Sequence, residues 1–396
     1  MTDASEPRSG APLQIGFIPL ADAAALLVAV DKGFFAGEGL DVALIREVSW
    51  SNVRDKLNLG LFDAAHLLAP VAIASSLGIG HVKVPIIAPF NLGLNGNAIT
   101  VSPELYARIA AEAGGDPGNP VTSAKALARV VAARRAAGQE PLTFGMTFPF
   151  STHNYQLRFW MAAGGVDPDE DVHLVVLPPP LMVESLANRQ VDAFCVGAPW
   201  NSVAVDLGVG RILHFSTDIL ARSAEKVLAV REAWAGKNAG ALMALIRALQ
   251  RGATFIETPD NHQEVAALLA KPDRIGVAAE VIMRTLQGRL KVASDGAIRA
   301  HPDYLLVARN GATRPDPVQA AWLYAQMVRW GQTTLTRDKE LQAMGVYRPD
   351  LFDTAVPGAA PPASSLPSDR IGAFDGPKFD PDHLEAHINA FPIRRR

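Results

Sequence analysis

One cysteine, Cys195, stands among 396 residues, so no internal disulfide can form and no thiolate cluster can hold a metal. An excess of positive charge is also missing. Thirty-seven Lys and Arg against 40 Asp and Glu leave a net charge of −3, which argues against direct nucleic-acid binding, since neutralising phosphates takes a basic surface. Long apolar runs are missing too. Ala23 to Val30, bounded by Asp22 and Asp31, is about eight residues long against the ~18 that a membrane span requires. Met1 to Pro12 has no basic stretch leading into an apolar one, so no secretory signal is read there and a cytoplasmic protein without membrane contact is expected. Phosphate loops of the Walker type, G-x-S-x-G elbows and Cys-x-x-Cys pairs are all lacking, and the chain is read as a non-enzyme without cofactor or metal.

What is present is 49% hydrophobic content, enough for sizeable cores, arranged as alternating strands and helices. Leu13 to Ile18 reads as a buried strand, Ala21 to Lys32 as a helix closed by Gly33, and Leu40 to Ile45 as the next strand: the rhythm of a parallel α/β sheet. A second α/β block follows. Pro141 to Phe148, Val172 to Leu177 and Val191 to Gly197 read as strands, and Ser151 or Thr152 caps a helix from His153 to Ala163. Beyond Gly236 the pattern is helical, and the last fifty or so residues, rich in proline and small side chains, read as an extended tail.

Two segments share one spacing. Asp63-Ala64 leads across an apolar stretch to Pro70, and Asp192-Ala193 leads to Pro199 at the same interval. Each copy reads as helix, tight turn, buried strand and Pro-started helix. A protein built from two such units would set its strand ends opposite each other across a cleft, the usual place for ligands in open α/β sheets.

Several hydrogen-bond donors fall on loops that follow strands. Trp50 offers an indole N–H, Asn97 an amide, and Lys226 an ammonium; Thr152 and His153 open a helix, whose free N–H groups and partial positive charge suit an oxyanion. Each also has a structural alternative. Trp50 could be a core aromatic, His153 a solvated first-turn residue, Asn97 turn chemistry beside Gly96, and Lys226 the exposed partner of Glu225. His383 and His387 share a helical spacing but read as a solvated tail helix, and Cys195 as a buried structural thiol.

The motifs Gly16-Phe-Ile-Pro-Leu20, Lys32-Gly-Phe-Phe35, Ser49-Trp-Ser-Asn-Val-Arg-Asp55, Asn95-Gly-Asn-Ala-Ile99, Thr147-Phe-Pro-Phe-Ser-Thr-His153 and Asp192-Ala-Phe-Cys-Val-Gly-Ala-Pro-Trp-Asn201 occur in order. Together they resemble the nitrate- and bicarbonate-binding proteins of ABC transporters. The resemblance implies a bilobal type II periplasmic-binding-protein-like fold with two α/β lobes, a helical C-terminal part and an extended tail. The parts expected are 13–100 (lobe I), 101–215 (lobe II), 216–335 (lobe I again) and 336–396 (tail). It also implies that the anion contacts of the nitrate branch fall on Trp50, Asn97, His153 and Lys226. Asn97 replaces a Gln of many relatives, Ala198 stands where transporter relatives tend to carry Glu, and Lys226 contrasts with an acidic residue in the bicarbonate branch.

With no secretory signal read at its start, the chain further resembles cytoplasmic nitrate and nitrite sensors of the NasS type, whose partner is an RNA-binding antiterminator of the NasT type. A sensor is therefore the expected function. A transport receptor is the alternative, and an enzyme related to pyrimidine synthases on the same fold comes third.

Overall fold

A computed structural model describes residues 11–359 and 369–395. The first ten residues of the polar N-terminal stretch, and 360–368 and 396 of the expected tail, lie outside them.

The strands in chain order are β1 (Leu13–Phe17), β2 (Val42–Arg46), β3 (Ala64–Leu68), β4 (Ile86–Asn95), β5 (Asn97–Val101), β6 (Thr143–Met146), β7 (His173–Val176), β8 (Ala193–Gly197), β9 (Arg211–Phe215), β10 (Ala224–Arg231), β11 (Arg289–Lys291), β12 (Ile298–Ala300) and β13 (Leu305–Leu306). They form two main sheets, one for each lobe. Lobe I has the order β13-β4-β10-β3-β1-β2 and lobe II the order β7-β6-β8-β5-β9, while β11 and β12 pair as a separate hairpin. Within lobe I, β1 is parallel to β2 and β3, whereas β10 runs antiparallel to both β3 and β4. Lobe II repeats the scheme, with β6 parallel to β7 and β8, and β5 antiparallel to β8 and β9. The strand set antiparallel beside β3 or β8, β10 in lobe I and β5 in lobe II, thus arrives by a crossing from the other lobe.

The internal spacing seen in the sequence has a structural counterpart. The Asp63 carboxylate accepts the N–H of Gln14 at 2.8 Å, and the Asp192 carboxylate accepts the N–H of Thr143 at the same distance, across 49 residues in both cases. Each aspartate therefore clamps the start of a strand of its own lobe, β1 in lobe I and β6 in lobe II. β3 and β8 follow these aspartates, are buried at every position, and lead into helices at Ala69–Leu77 and Trp200–Asp206. Full burial explains why both strands are near-continuous apolar runs, broken in β3 only by the buried His66, rather than alternating ones.

The chain first crosses between lobes at Asn95 and Gly96, both left-handed, with φ of 63° and 83°. β5 already belongs to lobe II, so the passage comes earlier than the expected boundary at residue 100. Asn95 is fully engaged there: its Nδ2 donates to the carbonyls of Ala221 and Asp303, and its Oδ1 accepts from the Ser223 N–H of the return crossing. The helices Ala239–Glu257 and Pro317–Arg329 flank lobe I. The expected extended tail instead begins with two helices, Arg337–Val346 and Pro349–Ala355. Ala343 and Val346 of the first and Phe352 and Ala355 of the second are buried, and this burial outweighs the proline content.

Candidate anion-binding site

Two crossing strands and two helix starts meet between the lobes. In lobe I, Lys226 on β10 pairs with Leu68 at the end of β3. In lobe II, Asn97 on β5 pairs with Gly197 at the end of β8. Leu68 and Gly197 occupy equivalent places after Asp63 and Asp192, so the lysine and the amide are counterparts in the repeat. Trp50 opens the helix Trp50–Asn58, capped by the Ser49 hydroxyl accepting the Asn52 N–H. His153 lies in the first turn of Thr152–Ala163, whose Ser151 cap accepts the Asn154 N–H. Trp50, Asn97, Thr152, His153 and Lys226 are all buried.

Lys226 is the centre of a buried charge cluster. Its Nζ lies 2.6 Å from Glu225 Oε2 and 3.0 Å from Asp22 Oδ2, and neither the lysine nor its partners are more than 4% exposed. The pair with Glu225 is therefore present but interior, not an exposed surface pair. Burial presses the Lys226 ammonium towards its neutral form, but the two carboxylates outweigh it and hold the lysine charged. Burial likewise opposes ionisation of Asp22, yet the ammonium of Lys226 and the His66 hydrogen bond keep its carboxyl far below the usual range.

His66, in the middle of β3, accepts the Ile18 N–H at Nδ1 and donates from Nε2 to Asp22 Oδ1 at 2.9 Å. Burial lowers its pKa. The imidazole is thus neutral, with its proton on Nε2. Its ring packs 5.3 Å from that of Trp50, over which the Lys226 ammonium sits at 5.4 Å from the centroid.

Unsatisfied polar atoms surround this cluster. Trp50 Nε1, His153 Nε2, Asn97 Oδ1 and Glu225 Oε1 are buried without a hydrogen-bond partner among the described residues. Leaving such atoms unpaired costs about 1–3 kcal/mol each, so four around one lysine point to a ligand between them. His153 Nδ1 is held by the Thr147 hydroxyl at 3.0 Å, and its Nε2 stands 3.6 Å from Glu225 Oε2. Burial, opposed by the Glu225 carboxylate, brings the His153 pKa down to about 4, so the ring is neutral at pH 7. A Cβ on Gly197 would sit 3.4 Å from Asn97 Oδ1 and 3.6 Å from Asp22 Oδ2; the glycine therefore borders both groups. Asn97 itself is lightly held, its Nδ2 reaching Gln156 Oε1 at 3.4 Å.

Thr152 stands apart from the other candidates because its hydroxyl is already engaged, donating to the Ala224 carbonyl at 3.0 Å. That bond ties lobe II to the start of β10. Ala198 likewise joins the lobes through its backbone, donating to the Gly96 carbonyl and accepting from the Ala21 N–H, each at 2.8 Å. Cys195 is buried and its thiol pKa is raised by that burial, as befits a structural thiol. His387 departs from the solvated tail helix expected of it: it is buried between Phe379 and Phe391. No three His, Cys, Asp or Glu side chains converge as metal ligands among the described residues. Asp22, His66, Thr147 and Glu225 were not singled out as site residues by the sequence. A histidine within the apolar strand Ala64–Leu68 was the one local signal for this inner shell.

Comparison with known proteins agrees with this architecture. The NMT1-like family matches residues 6–270. The chain is 30% identical to the nitrate/nitrite binding protein NrtA of Nostoc sp., covering 96% of this chain and 86% of that protein. It is 33% identical to the nitrate import ATP-binding protein NrtC of Synechocystis sp., covering 97% of this chain and 55% of that protein. The chain thus spans about half the length of the first curated relatives it matches. The crystal structure of the periplasmic nitrate-binding protein NrtA from Synechocystis superposes with a TM-score of 0.86 at 27% identity, covering 96% of this chain and 98% of that one.

These relatives overturn the expectation of a cytoplasmic sensor of the NasS type acting through a NasT-type antiterminator. Those aligning along nearly the whole chain are nitrate-binding proteins and importer components, and the solved one is periplasmic. The relative covered along most of its own length and the superposed crystal structure are both named as nitrate-binding proteins, not as enzymes. With its two-sheet, type II periplasmic-binding-protein-like fold, this chain belongs to the NMT1-like family and stands close to the NrtA nitrate-binding proteins of ABC transporters.

Proposed function

We propose that this protein is the receptor of an ABC importer, working outside the cytoplasm and binding nitrate, or nitrite by the same contacts, between its two lobes. The observation that carries this reading is the unpartnered buried Trp50 Nε1–H donor and the unpartnered His153 Nε2, both beside the Lys226 ammonium. Trp50 and Lys226 come from lobe I and His153 from lobe II, so an anion held by all three favours the closed arrangement of the lobes. The first N–H groups of the helix Thr152–Ala163 add partial positive charge on the lobe II side. Rotating the Asn97 amide by half a turn presents Nδ2 in place of its unpaired oxygen, adding a fourth donor. Nitrate carries three equivalent acceptors and no proton, and it is less costly to desolvate than a divalent oxyanion. Delivery to the membrane-embedded part of an importer follows from the NrtA likeness.

Bicarbonate is the second reading. Bicarbonate transport ATP-binding protein CmpC of Synechococcus elongatus is 33% identical over 97% of this chain, and the unpaired Glu225 Oε1 could accept the hydroxyl that bicarbonate has and nitrate lacks. Calorimetric titration of the purified protein with nitrate, nitrite, bicarbonate and sulfate distinguishes them. Saturable one-site binding of nitrate or nitrite, unaffected by a chelator, supports the first reading. Preference for bicarbonate supports the second.

A further inference from the structure

The formal charges in the site do not favour an anion. Asp22 and Glu225 contribute two carboxylates, Lys226 a single ammonium, and both buried carboxylates are in direct contact with that one buried ammonium. A monovalent anion added here would give the cluster a second uncompensated negative charge in a dry interior, where such charges are most costly. No additional lysine or arginine is paired with these carboxylates among the described residues. The compensation has to come either from the ligand or from a proton.

Only one place in the cluster is open to a proton. His66 uses both ring nitrogens, one towards the Ile18 N–H and one towards Asp22. Asp22 is held by Lys226 and His66 together. His153, by contrast, has its Nε2 unpaired and 3.6 Å from Glu225 Oε2, while Glu225 Oε1 is itself unpaired. The other titratable groups within electrostatic reach of Glu225 are the Cys195 thiol and the Tyr347 phenol. Burial drives the pKa of both upward, so both stay neutral and supply no charge.

We infer that nitrate enters this site together with one proton, which is taken up from solvent by the His153–Glu225 pair and makes Nε2–H of a cationic His153, or a neutral Glu225, a donor to the anion. The inference deepens the nitrate reading above and rests on it. The balance is simple: one anion and one proton enter, the proton forming an N–H bond on His153 or an O–H bond on Glu225 as it leaves a hydronium ion or buffer acid, no bond of nitrate is made or broken, and the cluster keeps its net charge. Without nitrate the imidazole is neutral at pH 7, because burial has moved its pKa to about 4. The anion supplies the missing reason to protonate it. The receptor would then bind nitrate more tightly on the acid side of neutrality.

Isothermal titration of the full chain with sodium nitrate at pH 6, in two buffers of different ionisation enthalpy, counts the protons directly. About one proton taken up per nitrate, with affinity falling about tenfold per unit between pH 5 and 7, is the expected result. Glu225→Gln should abolish both the uptake and the pH dependence, and it should bind nitrate more tightly than the wild type at pH 8. Circular dichroism confirms that the variant is folded, and the wild-type measurement stands without it. Nitrate binding with no proton uptake and flat affinity across pH 5–7 overturns the inference and leaves the nitrate reading intact. Failure of nitrate to bind at any pH in that range overturns both.

Discussion

Replacing Lys226 by Met removes the only ammonium from a cluster that holds two carboxylates. The side chain keeps its length and apolar stem, so what changes is charge. In the native protein Nζ is 2.6 Å from Glu225 and 3.0 Å from Asp22 with negligible exposure. Two unit charges about 4 Å apart interact by about 4 kcal/mol at an effective dielectric constant near 20. Stripping one partner from a buried pair typically costs about 3–5 kcal/mol. Lys226→Met should therefore lose about 3–5 kcal/mol of folding stability, a large share of the roughly 5–15 kcal/mol available to a typical domain. Loss of a charge-assisted bond to nitrate, worth about 1.5–3 kcal/mol, should separately weaken binding by about 10- to 150-fold. The double variant Lys226→Met with Glu225→Gln separates the two effects. It leaves one carboxylate, Asp22, still bonded to His66, so much of the stability should return while nitrate affinity stays low. Urea denaturation followed by circular dichroism measures the first effect and calorimetry the second. A Lys226→Met protein within about 1 kcal/mol of the wild type, with unchanged nitrate affinity, refutes the argument.

Trp50→Phe keeps the aromatic packing on His66 but deletes an N–H that has no partner among the described residues; stability should hold while nitrate binds about tenfold more weakly or worse, and equal affinity in calorimetry would remove Trp50 from the site. Gly164→Ala would place a Cβ 2.1 Å from the Ala124 carbonyl oxygen, a backbone atom in the adjoining helix. A loss of about 1–3 kcal/mol in urea denaturation is expected, and an unperturbed variant would contradict the packing described. In the absence of nitrate, His153 and His214 are kept neutral by burial, against the nearby Glu225 and Asp218 carboxylates respectively, down to about pH 4. The unfolded chain binds those protons near pH 6.5, so stability should fall as pH drops from about 6.5 towards 4, by on the order of 3 kcal/mol per histidine. Denaturation midpoints that stay level from pH 7 to 5 would show that the two rings are not held neutral.

The strands of both lobes were readable because buried parallel strands announce themselves as short apolar runs closed by turn residues. Asp63 and Asp192 exposed the repeat because each begins a strand that is buried on both faces. Trp50, Asn97, His153 and Lys226 could be singled out one at a time, since each is a donor near the start or end of an element. Their shared environment could not. The turn from Pro19 to Asp22 after β1 is a place where an open α/β sheet puts ligand groups, but Asp22 is far from Lys226 in sequence and nothing local marks it as the lysine's second carboxylate. Glu225 looked like half of a surface pair because adjacent charges usually are solvated; only the antiparallel insertion of β10 between β3 and β4 buries it. His387 was misplaced for a similar reason, its burial being decided by Phe379 and Phe391 from neighbouring turns. The helix Pro349–Ala355 was hidden by its proline, which sits at the helix start and so does not break it.

A crystal structure of the protein grown with sodium nitrate tests the central claim most directly. One planar anion should appear between the lobes, within hydrogen-bonding distance of Trp50 Nε1, His153 Nε2 and Lys226 Nζ, with the Asn97 amide turned to present Nδ2. Nitrate found only elsewhere, for example beside Arg211 and Arg299 in the lobe II surface pocket lined by Tyr106 and Asp116, with the interlobe donors still unpaired, would contradict the account.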